Sequence, residues 1–218
     1  MGGALARERY PQLHLVTDPV LEPLDQVERV GRAAASGIDA VHVRLPDATA
    51  REVYDIAVVL RASLSDSGPR LIVNDRVDVA LAVNAAGIQL GARSLPVRAV
   101  RRVLGPEAPV GVSVHSAGEA REAERDGATW VMFGHVFETA SHPGESPRGL
   151  DALRQVVAAV EIPVIAIGGI TPDRVPEVIG AGAAGVAVIS GILAADDVEA
   201  AARAFRAALD GGSPWRDR

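Results

Sequence analysis

The feature that most constrains the fold is a regular alternation of short apolar runs with longer amphipathic stretches. The Val-, Ile- and Leu-rich runs predict eight strands, at Leu13–Thr17, Ala40–Arg44, Leu71–Asp75, Ile88–Gly91, Val110–His115, Trp130–Phe137, Val164–Gly168 and Gly185–Ile189. Between these runs, apolar residues recur three and four positions apart, which is typical of helices with one buried face. Strands that alternate with helices form a parallel sheet covered by those helices.

Eight strand–helix units in a chain of 218 residues favour one fold class, an α/β protein built as a single (β/α)8 TIM barrel. An open, doubly wound sheet stays an alternative, because the predicted third helix is short. We expect residues 1–218 to form one domain, with an ordered core at about 12–210 and a loose tail at 211–218.

Composition excludes several classes of function. The chain has no cysteine, a formal net charge of -6 and only 3% aromatic residues, so disulfides, thiolate metal sites and a stacking platform for nucleic acid are not expected. No run of about 18 apolar residues predicts a membrane span, and the N-terminal MGGALARERYPQ lacks the apolar segment of a signal peptide. We therefore expect a cytoplasmic protein without nucleic-acid or membrane partners.

In a barrel, the active site lies where the strands end at their carboxyl side. The second strand ends at Arg44, and period two places His42 and Arg44 together on its inward face. The fifth strand likewise places Ser113 and His115 inward. Polar residues on an inward face are costly unless paired or used. These side chains are therefore candidates for catalysis, although a buried histidine can equally be a hydrogen-bonded structural residue.

Two further strand ends carry polar residues. Asn74 and Asp75 end the third strand, and Asp75 can hold a metal, orient a base or cap the next helix; we expect the cap. The sixth strand contributes His135 and Thr139. The Gly-, Pro- and Ser-rich loop that follows, residues 140–149, is typical of a lid or clamp at the site, with a plain surface loop as the alternative.

Glycines end the last two strands. Gly168 and Gly169 follow the seventh strand, and Ser190 and Gly191 follow the eighth. At these two positions of a barrel, backbone N–H groups can approach a phosphate closely. The pattern predicts a small phosphorylated ligand, and tight-turn glycines are the alternative.

The stretches LVTD, IVNDRVDVAL, PVIAIGGITPDRV and GVAVISGI are similar to those of the thiamine phosphate synthase/TenI family of phosphate-binding barrels. The resemblance runs from Leu13 to about Leu209. The synthase branch couples a pyrimidine pyrophosphate to a thiazole phosphate with Mg²⁺, and its second strand usually reads Gln-x-Arg-x-Lys. Here Pro46 stands at that lysine, and His142 stands at the lysine of the synthase loop Thr-x-Thr-Lys.

The synthase metal site implies Asp75 and a second carboxylate after the fourth strand, where this chain has Arg93 and Ser94. The runs around His115 and His135 are similar to the TenI branch, which includes thiazole tautomerases. From this resemblance we expect an isomerase that aromatises a dihydrothiazole carboxylate phosphate. His115 would be its acid–base group, Arg44 would stabilise the developing charge, and His42 or His135 would assist.

The tautomerase reaction requires neither a metal nor a redox cofactor, so none is expected. One alternative is a Mg²⁺-dependent thiamine phosphate synthase whose charge clamp uses Arg93, His142 and Arg148. Another is a non-catalytic, regulatory binder of thiazole phosphate. The expected partner is a phosphorylated thiazole, and the expected assembly is a homodimer, because barrels of this kind commonly pair.

Overall fold

The computed structural model describes residues 11–65 and 67–211. Its eight parallel strands close into a barrel in the order β1 to β8, with β8 pairing back to β1. The strands are β1 Gln12–Val16, β2 Ala40–Val43, β3 Arg70–Asn74, β4 Gly87–Leu90, β5 Val110–Val114, β6 Trp130–Phe133, β7 Val164–Ile167 and β8 Gly185–Val188. The predicted (β/α)8 barrel is confirmed, and the closing β8–β1 pair excludes the open sheet.

All eight strands end earlier than the apolar runs suggested. Most end one residue sooner, because the last residue of each predicted run already belongs to the loop at the barrel mouth. The sixth strand was predicted to reach Phe137 but ends at Phe133. Residues 134–137, which were predicted to continue the strand, do not pair with the β-sheet. The N–H groups of Val136 and Phe137 donate instead to the carbonyls of Ile167 and Gly168.

Helices connect the strands and cover the outside of the barrel. They are α1 Pro23–Ala34, α2 Ala50–Ser63, α3 Val77–Ala82, α4 Val97–Leu104, α5 Ala117–Arg125, α6 Gly149–Val157, α7 Val175–Gly180, α8 Ser190–Leu193 and α9 Val198–Gly211. A 3-10 turn, Pro172–Arg174, precedes α7. Sequence sets some of the starts directly: Thr49 and Glu52 form a reciprocal capping box at the start of α2.

The apolar core lies mainly between the outer face of the sheet and the helices. A smaller apolar cluster lies inside the barrel, around Val16, Met132 and Ile165. Polar side chains share that interior, since His14, His42 and Gln89 are also buried. Because the inside of the barrel is partly polar, it can bind a polar ligand as well as pack.

The first and last described segments are held together by Arg206 of α9. Its Nη2 donates to the Pro11 carbonyl at 3.0 Å, and its Nη1 lies 3.1 Å from an Asp39 carboxylate oxygen. The guanidinium therefore joins α9 to the chain on either side of α1. The expectations for the N-terminal segment before Pro11 and for the tail at 212–218 lie outside the described residues. Within the described ranges, no helix is long and apolar enough to cross a membrane.

Candidate active site

A cavity of about 520 Å³ opens at the carboxyl ends of the strands. Ten of the residues singled out from the sequence line it, from six different strand ends: His42, Arg44, Asn74, His115, His135, Thr139, Gly168, Gly169, Ser190 and Gly191. The volume is in the range of small-molecule sites. The structure thus brings the predicted residues together, while their chemical roles stay predictions.

The floor of the cavity rests on a chain of buried hydrogen bonds. His14 Nε2 lies 2.8 Å from Gln12 Oε1, and His14 Nδ1 lies 2.9 Å from His42 Nε2. Arg70 also donates to Gln12 Oε1, at 3.3 Å, and because arginine is only a donor this atom is the amide oxygen. His14 therefore donates from Nε2 and accepts at Nδ1, while His42 donates from Nε2.

This arrangement leaves His42 Nδ1 as an acceptor facing the cavity side of the barrel. Neither that atom nor Asn74 Oδ1 has a hydrogen-bond partner of good geometry among the described residues. Burial lowers the pKa of His42 to about 3; the Arg70 charge acts in the same direction and Asn74 opposes it. Burial, with His42 and Arg70, likewise holds the pKa of His14 well below 6.5. Both rings are neutral at neutral pH, so His42 can accept a hydrogen bond but carries no charge.

His115 lies at the rim of the cavity rather than inside the barrel. It follows β5, and its side chain is 43% exposed. Its Nδ1 lies 3.2 Å from Glu119 Oε2, which also accepts from the His115 backbone N–H at 2.8 Å. Glu119 in α5 therefore orients the ring and leaves Nε2 directed away from the carboxylate. Glu119 was not predicted from the sequence, although an acid four residues after a histidine at a helix start is a readable signal.

Asp75 does not cap α3, contrary to expectation. The helix has no side-chain cap at its start. Asp75 adopts a positive φ of 63° and turns its carboxylate toward the loop after β4. There Oδ1 accepts hydrogen bonds from the Gly91 N–H, at 3.1 Å, and from the Ser94 hydroxyl. Asp75 and Ser94 therefore present two oxygen atoms together at the edge of the cavity.

The glycines after β7 are required by close packing against the loop after β6. Gly168 and Gly169 have φ values of 103° and 64°, which side chains rarely adopt. A Cβ at Gly168 would overlap His135, and one at Gly169 would overlap the backbone of Glu138. Among the described residues, no acceptor takes the backbone N–H groups of Gly168, Gly169, Ser190 or Gly191. These donors remain available to an anion.

Three arginines supply positive charge at the cavity. Arg44, Arg93 and Arg148 all line it. Arg148 is fixed in place, since its Nε donates to the Gly134 carbonyl at 2.9 Å. Arg93 is exposed on the loop after β4, next to Ser94. Guanidinium groups from three different loops therefore line the cavity, which suits a ligand that carries more than one anionic group.

His14 is the main residue beneath the cavity that was not predicted from the sequence. It belongs to β1, and the alternation of Gln12 and His14 with apolar neighbours was a sufficient signal that both face inward. The predicted strand Leu13–Thr17 included His14 but not Gln12, and no inward-facing polar residue was predicted in it. Ser113 was placed inward from the same alternation, and it accepts a hydrogen bond from Gln89 at 3.1 Å.

The fold and the site together define a (β/α)8 barrel with a polar, cation-edged cavity at the carboxyl ends of its strands. The family model described as thiamine monophosphate synthase matches residues 13–192. The chain belongs to that family, as the sequence resemblance indicated.

Individual relatives agree with this assignment. The thiamine-phosphate synthase of Moorella thermoacetica is 46% identical over 181 residues, which cover 83% of this chain and 86% of the relative. That of Pyrococcus furiosus is 41% identical over 195 residues, covering 89% and 93%. A solved structure of thiamine phosphate pyrophosphorylase from Pyrococcus furiosus matches with a TM-score of 0.83 and 40% identity, over 92% of this chain and 96% of that one.

These relatives overturn the expected activity. The tautomerase, and with it the isomerase class, is wrong as the main interpretation, because relatives at 41% to 46% identity are named synthases, which are transferases. The physical reason lies in the cationic lining. The absence of lysine at Pro46 and His142 was read as a loss of charge, but Arg93 and Arg148 reach the same cavity.

Proposed function

We propose that this protein is a thiamine-phosphate synthase, a transferase that joins a pyrimidine pyrophosphate to a thiazole phosphate. The observation that carries the proposal is the arrangement of Arg44, Arg93 and Arg148 around one cavity that also contains free backbone N–H groups. The two substrates together carry a monophosphate and a pyrophosphate, so the site needs two anion-binding regions. The names of the relatives support the same reaction.

In the reaction, the thiazole ring nitrogen forms a bond to the methylene carbon of the pyrimidine. The bond from that carbon to pyrophosphate breaks, and pyrophosphate leaves with both electrons of that bond. Negative charge accumulates on the leaving group, so preorganised cations that face it lower the barrier. We assign this role to Arg93 and Arg148, with His142 beside them. The thiazole phosphate is assigned to the N–H groups of Gly168, Gly169, Ser190 and Gly191.

The histidines that line the cavity are assigned to substrate binding, together with Asn74 and Thr139. His42 Nδ1 is a buried acceptor with no hydrogen-bond partner of good geometry among the described residues, and Asn74 Oδ1 beside it is in the same position. A ring amino group of the pyrimidine would satisfy both atoms. His115, oriented by Glu119, and His135 and Thr139 from the neighbouring strand end would contact the substrates at the mouth of the cavity.

Asp75 and Ser94 fit the Mg²⁺ that this activity implies. Their oxygens are joined by a hydrogen bond at the cavity edge. Mg²⁺ commonly uses one or two carboxylates, completes its shell with water and substrate phosphates, and so does not require a second carboxylate here. When bound, the ion would neutralise charge on the pyrophosphate. Asp75 would hold it, and Ser94 would orient the Asp75 carboxylate.

The test is a coupling assay with the pyrimidine pyrophosphate, the thiazole phosphate and MgCl2, in which thiamine phosphate is measured by conversion to fluorescent thiochrome. We expect product that requires both substrates, with one pyrophosphate released per product. A folded protein that binds the thiazole phosphate but forms no thiamine phosphate over the uncatalysed rate would overturn the proposal and leave the regulatory binder.

A further inference from the structure

A cluster of two histidines and one glutamate lies where the loop after β6 meets the cavity. His135, His142 and Glu145 each place a possible ligand atom within 4.8 Å of the other two. We call this group the His–His–Glu cluster. The rings of His135 and His142 are nearly parallel, with centroids 4.9 Å apart, and His142 Nδ1 lies 3.5 Å from Glu145 Oε1.

Local hydrogen bonds bring these three residues together. The His142 N–H donates to the Thr139 carbonyl, and the Glu145 N–H donates to the His142 carbonyl, so two successive turns fold residues 139–145 back on themselves. The far end of the loop returns to its start, because the Arg148 N–H donates to the His135 carbonyl at 3.0 Å. The cluster is therefore a consequence of how the loop is closed.

The chemistry of the three donor groups indicates which class of metal ion the cluster would bind. Two imidazoles and one carboxylate suit zinc and its transition-metal neighbours, whereas Mg²⁺ prefers oxygen ligands alone. His135 is buried, while the side chains of His142 and Glu145 are 48% and 62% exposed. One ligand is thus fixed by the barrel, and the other two are free to move the short distance that metal coordination requires.

We propose that the His–His–Glu cluster binds one divalent transition-metal ion, with Zn²⁺ as the best match to its ligands. Three protein ligands leave a coordination position for water or for an oxygen of a bound anion. Because all three residues line the cavity, the ion would tie the loop to the end of β6 beside the site. The proposed metal site uses donors other than Asp75 and Ser94. It shares His135 and His142 with the synthase assignment, so it is tested by metal binding without substrates.

The same chain supplies a matched control. His115 and Glu119 form a second exposed histidine–carboxylate pair, at 3.2 Å, but it belongs to no three-membered cluster among the described residues. If a histidine beside a carboxylate were enough to bind metal, both places would do so. If three converging ligands are needed, only the His–His–Glu cluster will.

The experiment is a titration of metal-free protein, without substrates, with Co²⁺ followed by visible absorption, and then displacement by Zn²⁺ followed by calorimetry. We expect one ion per chain, and His142→Ala and Glu145→Gln should each weaken binding at least about tenfold. His115→Ala and Glu119→Gln should leave it unchanged, and millimolar Mg²⁺ should not compete. Because the two cluster variants alter exposed side chains, circular dichroism should show an intact fold.

Two results would overturn the proposal. One is wild-type protein that shows no saturable Co²⁺ or Zn²⁺ binding. The other is binding that His142→Ala leaves intact, or that His115→Ala abolishes. The coupling assay is not part of this test, so failure of the metal site and failure of the synthase assignment are distinguishable.

Discussion

His14 Nδ1 and His42 Nε2 lie 2.9 Å apart on neighbouring parallel strands, fully inside the barrel. Only one of the two facing nitrogens can carry a proton, so the pair is held together by a single hydrogen bond between neutral rings. Protonation of His14 would turn its accepting nitrogen into a donor and place a charge beside Arg70. The free energy of unfolding therefore depends on pH through this pair of histidines.

The first prediction concerns pH. The folded-state pKa of His42 is about 3 and that of His14 is also lowered, while both titrate near 6.5 in the unfolded chain. The unfolded state therefore binds more protons below pH 6.5, and the stability present above this pH is lost progressively as the pH falls toward 3. His42 alone should account for a loss of about 2 kcal/mol at pH 5. Urea unfolding at pH 7.5 and pH 5.0 measures the difference.

His42→Gln should make the free energy of unfolding less dependent on pH over this interval, whatever its effect on stability at pH 7.5. The control is His115→Ala, which removes an exposed histidine and should keep the wild-type dependence. Equal unfolding free energies of wild type at the two pH values would contradict the prediction.

The second prediction concerns Arg148. If it binds the leaving pyrophosphate, Arg148→Ala should lower kcat/KM of coupling about 10- to 100-fold, the value of one charge-assisted hydrogen bond. Arg148→Lys should recover part of the loss, because it restores charge but not the planar fork. Arg154→Ala in the following helix removes an exposed arginine paired with Asp151 and should have no effect. Equal rates for the Arg148→Ala and Arg154→Ala proteins would exclude this role.

The third prediction concerns the oxygen pair at Asp75 and Ser94. Asp75→Asn should raise the Mg²⁺ concentration needed for half-maximal coupling by about tenfold or more, because it removes the carboxylate charge. Ser94→Asp should lower that concentration, since it adds a second carboxylate. Asp78→Asn is the control, because Asp78 is exposed and paired with Arg76. A Mg²⁺ dependence that is the same in all four proteins would show that the ion binds elsewhere.

The fourth prediction concerns packing inside the barrel. A Cβ at Gly111 would overlap the Trp130 ring and the Gln89 amide. Those two groups hydrogen-bond to each other at 2.9 Å and have little freedom to move. Gly111→Ala should therefore destabilise the protein by about 1–3 kcal/mol. Gly118 lies in α5, where a Cβ would make only an ordinary contact with Ser116 Oγ, at 3.8 Å, so Gly118→Ala should stabilise the helix by up to about 1 kcal/mol. Thermal unfolding of both variants gives the comparison.

The fold was predictable because its signal repeats. Each strand run differs in sequence, but all eight share β-branched residues at a regular spacing, and the closed barrel is the compact way to bury them. The strand ends were less predictable. The segment from Gly134 to Phe137 ends in two apolar residues and resembles a continuation of β6, and only its hydrogen bonds to the end of β7 reveal that it has left the sheet.

The residues that line the cavity were predictable for a similar reason. A closed parallel barrel places the residues that follow all of its strands at the same end. The partners of those residues were not predictable. Nothing local in the sequence indicates that Asp75 turns away from the adjacent helix toward Ser94, or that His42 faces His14. The activity was misjudged because the missing lysines were given more weight than the alternative clamp that uses Arg93 and Arg148. Arginines that the loops bring to a cavity supply positive charge as lysines do.

Arg206, which bonds to Pro11 and Asp39, has a consequence for chain connectivity. The two ends of the described chain meet at one side of the barrel, and the sheet closes there through β1 and β8. A circular permutant that joins these ends by a short linker and opens the chain at the exposed Pro106–Glu107 turn should form the same eight-stranded barrel, with a cooperative thermal transition. The barrel would then depend on which strands pair around the ring, and not on which strand comes first in the chain.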